Sequence, residues 1–101
     1  MEINMKYVLQ TLEEIMKIDS PSGYTAAVME KIEQKAQELG YGFETTHKGN
    51  GVITVPGEDP EYVVGFCAHV DTLGLMVRSI KENGALAFTK IGGPNLATVD
   101  S

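Results

Sequence analysis

Between Tyr62 and Val70 the chain carries no Asp, Glu, Lys or Arg, and the stretch Tyr62-Val63-Val64-Gly65-Phe66-Cys67-Ala68 runs directly into His69-Val70-Asp71. An extended segment without apolar/polar alternation is expected to be covered on both faces, as in the parallel or mixed sheet of an α/β protein with helices on either side. Ligands in open sheets of that kind sit beyond the carboxyl ends of the strands. Residues at i and i+2 of an extended chain project to the same side, which sets the Asp71 carboxylate beside the His69 imidazole. A ligating imidazole commonly has its second nitrogen held by an acceptor, so Asp71 is open to two roles, brace for the ring or ligand in its own right. A His-x-Asp triplet alone is weak, because a histidine at a strand end is more often a structural hydrogen-bonder.

A chain of 101 residues is long enough for one small core that buries about two-thirds of its unfolded surface. Its formal charge is −6, from 8 basic and 14 acidic residues, with no Lys/Arg stripe interleaved with aromatics; nucleic acid is not an expected partner. The opening residues Met1-Glu2-Ile3-Asn4-Met5-Lys6 lack a basic stretch followed by an apolar one, and no apolar run approaches the roughly 20 residues that span a bilayer. No membrane association and a cytoplasmic location are therefore expected. Cys67 is the sole cysteine, which excludes an internal disulfide and, given its apolar neighbours, predicts a small buried side chain.

Apolar Val8, Leu9, Leu12, Ile15 and Met16 recur at helical spacing, which predicts a helix over Met5–Ile18 with Asn4 as its N-cap. The segment Asp19-Ser20-Pro21-Ser22-Gly23 stops it. In a second helix Val28, Met29, Ile32, Ala36 and Leu39 form the apolar stripe, and Gly40 stands where a left-handed stop belongs. Both stripes are read as core. Short β-type runs follow: Phe43–His47 and Val52–Val55 around a Lys48-Gly49-Asn50-Gly51 turn, then Leu75–Ile80 and Ala85–Ile91 around Lys81-Glu82-Asn83-Gly84. Asn95–Ser101 is a tail with no counterpart. His47 reads as an exposed hairpin residue, since no carboxylate or cysteine stands at short ligand spacing. Ser20 and Ser22, flanking a proline, suit a turn or helix cap better than a nucleophile.

The run Ala68-His69-Val70-Asp71-Thr72-Leu73-Gly74-Leu75-Met76-Val77, with Ile80, Asn83-Gly84, Phe88 and Ile91-Gly92-Gly93 after it and Pro21-Ser22-Gly23 and Gly49-Asn50-Gly51 before it, resembles the N-terminal part of a metallo-aminopeptidase family. That family holds the glutamyl and deblocking aminopeptidases that assemble as tetrahedral particles, some of them labelled cellulase M or endo-1,4-glucanase. Many members have Glu where Thr72 stands, which leaves substrate preference open.

The resemblance implies an α/β fold in which residues 1–72 form the N-terminal part of a zinc-peptidase-like catalytic domain and residues 73–101 open an inserted β-rich dimerisation domain. It implies a dinuclear centre of zinc or cobalt that removes N-terminal residues from peptides. By the same likeness His69 is a metal ligand and Asp71 a catalytic-site residue that orients it. Homo-oligomers, dimers assembling to a dodecamer, are the implied assembly. The remaining ligands and the general base have no match here, since Glu82 lies at a turn and Asp100 one residue from the C-terminus. The chain is thus expected to be an N-terminal fragment, inactive alone.

The competing reading is a non-catalytic α+β interaction module with open strand edges. A polysaccharide hydrolase needs two carboxylates about 5–10 Å apart around a sugar bond, and Asp71 has no evident second member.

Overall fold

Helix α1 spans Met5–Met16 and helix α2 Ala26–Glu38; four strands follow, β1 Gly42–Thr45, β2 Gly51–Thr54, β3 Gly74–Ile80 and β4 Leu86–Ile91. The structure is a computed structural model that describes residues 2–95; all of the tail except Asn95 lies outside them. The fold is a mixed α/β arrangement. Its strands form two separate antiparallel pairs, β1 with β2 and β3 with β4.

Local chemistry explains the boundaries. The Asn4 side chain accepts a hydrogen bond from Tyr7 N–H at 3.1 Å and caps α1 as expected. Helix α2 ends in a Schellman motif: Gly40 adopts φ +82°, its N–H donates to the Gln37 carbonyl, and Tyr41 N–H donates to Ala36. In the second hairpin Gly84 N–H donates to the Lys81 carbonyl, and only Gly84 takes positive φ. That is a type I turn closed by a left-handed glycine, not the two-residue turn that Asn-Gly most often signals, which needs positive φ at both residues. The first hairpin repeats the pattern with Thr46 and Gly49.

The small core lies along α2, which packs on the first hairpin. Val28 is fully buried and Ala36 nearly so; burial of a valine side chain contributes about 1.5–3 kcal/mol. Met29 of α2 and Phe43 of β1 meet over Gly51, where an added Cβ would fall 2.6 Å from Met29 Cε and 2.7 Å from Phe43 Cζ. Helix α1 is tied to α2 through Glu14, whose carboxylate pairs with Lys31 at 3.4 Å and Lys35 at 3.1 Å.

That pairing gives a pH prediction. The Lys35 hydrogen bond above all, with Lys31 beside it, holds the Glu14 carboxyl below the usual carboxylate range, and Glu14 in turn raises Lys35. A carboxyl whose pKa falls on folding stabilises the contact above the ordinary carboxylate pKa and loses that contribution as pH falls through the lowered value. Hydrogen exchange of α1 amides is expected to be faster in Glu14→Gln than in the parent at neutral pH, and the difference to vanish in acid.

Four sequence expectations are corrected. Tyr62–Val70 forms no strand: Val63 is 84% and Phe66 95% exposed. A strand exists only through its neighbours' backbone groups, and none of the described residues supplies that ladder. The chain does not close around one core, because the Cα radius of gyration is 18.1 Å against about 13 Å for a compact domain of this length. The α1 stripe stays open to solvent at Val8, Leu9, Leu12 and Met16, as does Cys67.

Candidate metal-ligand site at His69 and Asp71

Two segments far apart in sequence create the site. Ser20, at the α1–α2 connection, accepts from Thr72 N–H through its carbonyl at 2.8 Å and donates from its hydroxyl to the Val70 carbonyl at 2.9 Å. Pro21 and Thr72 form an isolated parallel bridge. Ser20, only 2% exposed, is the one buried polar residue among those described, and its hydroxyl is satisfied by this contact. The clamp fixes the backbone immediately around Val70 and Asp71.

Gly74 lets the clamp close. A Cβ there would lie 2.7 Å from Pro21 Cβ, a ring atom that cannot swing aside. Gly74→Ala is expected to push Pro21 off Thr72 and to destabilise the protein by about 1–3 kcal/mol, the usual range for overpacking. A lowered denaturant midpoint together with faster exchange of the Thr72 amide would show it; an unchanged Thr72 amide would contradict it.

On this frame His69 Nδ1 lies 3.0 Å from Asp71 Oδ1 and 3.1 Å from the Asp71 carbonyl oxygen. The Ser22 hydroxyl donates to Asp71 Oδ2 at 2.6 Å. The Ser22 hydroxyl first, then the His69 ring, hold the Asp71 carboxyl below its usual range, so the group is ionised near neutrality and only accepts. Nδ1 therefore carries the ring proton. That tautomer leaves the Nε2 lone pair outward, and the His69 side chain is 86% exposed. His69, Asp71 and Ser22 all line the two clefts on either side of this ridge, one walled by Met29 and Phe43, the other by Leu12 and Leu73.

The side-by-side placement of His69 and Asp71 expected from i/i+2 spacing is thus present, although the segment bearing them is unpaired. His47 lies in the first hairpin turn, exposed, as read from its polar surroundings. Neither Ser20 nor Ser22 caps α2; Thr25 holds the N-cap position without a side-chain hydrogen bond. Both serines instead bond to Val70–Asp71, a role that the sequence reading missed and that only the pairing of Pro21-Ser22-Gly23 with the His-x-Asp segment in one resemblance hinted at.

The donor set fits one ligand of a metal centre, an exposed imidazole with its second nitrogen braced. It does not fit a whole one: no group of three or more His, Cys, Asp or Glu side chains converges among the described residues.

Over 90 residues, 89% of this chain, the sequence is 37% identical to "Putative aminopeptidase YhfE" of Bacillus subtilis (strain 168). The chain spans 26% of the length of that curated relative. Residues 49–101, which include His69 and Asp71, match the sequence profile of the M42 glutamyl aminopeptidases. With more than half of its residues under that profile, the chain belongs to the M42 glutamyl aminopeptidase family, a family of metallopeptidases.

Proposed function

We propose that this chain supplies one metal ligand, His69, and its orienting carboxylate, Asp71, to an aminopeptidase that removes N-terminal residues from peptides. The observation that carries the reading is the Nδ1 to Oδ1 contact of 3.0 Å, which presents Nε2 as the free donor. Residues 1–72 are read as the N-terminal part of the catalytic domain, and residues 73–101 as the start of an inserted β-rich dimerisation domain. Zinc or cobalt, two ions per site, and dimers building a dodecamer complete the proposal. A cytoplasmic location is part of the same proposal; among the described residues no helix is long and apolar enough to cross a membrane.

Such ions, when bound, polarise the scissile carbonyl and lower the pKa of a coordinated water. This chain's own part is narrower. Asp71, by accepting from Nδ1, fixes which ring nitrogen of His69 holds the proton and leaves the Nε2 lone pair free. Exposure of the ring on the ridge between two clefts leaves it accessible from both sides.

An assay of the full-length protein tests the reading. Amino acids are expected to be released stepwise from the N-terminus of peptides, with the release lost on chelation. No N-terminal release, or release indifferent to chelator, would overturn it.

A binding module is the second reading, favoured by the open apolar residues Tyr62, Val63, Val64 and Phe66, each at least 63% exposed. Titration with zinc separates the two, since a module of that kind has no need of His69-dependent binding.

A further inference from the structure

Asp71 offers two oxygens, and the chain uses both. Oδ1 accepts from the His69 ring and Oδ2 accepts from Ser22 at 2.6 Å, within the short range typical of a hydroxyl donating to an ionised carboxylate. A carboxylate held at one oxygen still turns about its terminal torsion, which is broad and without sharp wells. A second bond at the other oxygen fixes the plane of the group, and with it the direction of the lone pair that receives the imidazole proton.

Ser22 is itself held in place from two sides. Its predecessor Pro21 bridges Thr72, and the Ser20 carbonyl takes the Thr72 N–H at 2.8 Å. On the other side Tyr24 N–H donates to the Pro21 carbonyl at 2.8 Å, closing a tight turn around Ser22 and Gly23. The hydroxyl therefore reaches Asp71 from a backbone that the same clamp has already docked, across a separation of 49 residues. Preorganised support of this kind is what a metal-binding imidazole requires.

We propose that Ser22 is a positioning residue: its hydroxyl orients the Asp71 carboxylate so that His69 is kept in the Nδ1-protonated tautomer, with Nε2 left free to serve as a metal ligand. This rests on the assignment of His69 as a ligand. Ser22 touches neither metal nor substrate; it acts through Asp71. A purely structural staple between the helix connection and Val70–Asp71 would hold the segments together without biasing the ring.

The test uses the full-length protein and four forms of it: parent, Ser22→Ala, Ser22→Thr and His69→Ala. Affinity for zinc and for cobalt is measured by calorimetric titration, and the His69 tautomer in the metal-free protein by ¹⁵N chemical shifts. Removing the direct partner of a ligating histidine costs about 10–100-fold in metal affinity. One bond further out, Ser22→Ala is expected to cost about 3–10-fold by the same reasoning, and to shift the His69 ring toward the Nε2-protonated form. Ser22→Thr, which keeps the hydroxyl, is expected to restore both readouts. If His69→Ala binds metal like the parent, the ligand assignment fails and the proposal with it. If His69→Ala loses affinity while Ser22→Ala keeps the parent's affinity and tautomer, the assignment stands and the role of Ser22 is refuted. Equal loss in the alanine and threonine variants also refutes it, because the hydroxyl is then not the determinant.

Discussion

Substitution of His69 by alanine in the full-length protein is expected to remove bound metal and peptide hydrolysis together. Only one nitrogen of this ring is committed to the protein, through Nδ1 to Asp71, so the loss falls on the group that faces outward. Deleting the side chain removes a donor and leaves Asp71 Oδ1 without the proton it accepts, while Oδ2 keeps its bond from Ser22. A bound divalent ion supplies several kcal/mol of stabilisation to developing charge, and at about 1.4 kcal/mol per factor of ten this corresponds to a fall in kcat/KM of about 10³-fold or more. Metal content by elemental analysis and steady-state rates on one peptide measure the two effects. Asp71→Ala is expected to lie between parent and His69→Ala, since the ring remains but its tautomer is no longer set. A His69→Ala protein that retains metal and rate would remove His69 from the site.

What the sequence makes legible follows the range of the forces involved. Caps and turns depend on neighbours within a few residues: Asn4 caps α1, Gly40 closes α2 in a left-handed conformation, and Gly84 turns the second hairpin. The His69–Asp71 contact belongs to the same class, since its two residues stand only two positions apart in the chain. Pairing and burial do not. Tyr62–Val70 has the composition of a strand covered on both faces, yet composition specifies only that such a segment gains from cover, and the partner that would provide it is not among the described residues. The same reason leaves the α1 stripe in solvent while the α2 stripe, which has a hairpin to pack on, buries Val28 and Ala36. Ser22 was hidden for a third reason. Its hydroxyl acts on a carboxylate that only the folded backbone brings near, and a serine beside a proline has a sufficient local explanation that draws attention away from the distant one.

The 101-residue polypeptide prepared alone is expected to release no amino acid from peptides above the uncatalysed rate, with or without added zinc or cobalt. Metal sites that catalyse hydrolysis need about three protein ligands per ion and an open position, while the described residues offer no such group. Among the described residues that follow Asp71 the one carboxylate, Glu82, lies in the β3–β4 turn. Enzymes exceed the uncatalysed reaction by about 10⁶-fold or more, so the contrast with the full-length protein spans the whole catalytic effect. The exposed apolar residues of Tyr62–Phe66 and α1 make self-association of the isolated chain the expected accompaniment, visible by light scattering. Contamination is controlled by purifying the His69→Ala form of the same polypeptide in parallel. Chelator-sensitive release by the parent chain and not by that variant would mean that these residues hold a working centre unaided, and would overturn the division of labour proposed for His69 and the rest of the enzyme.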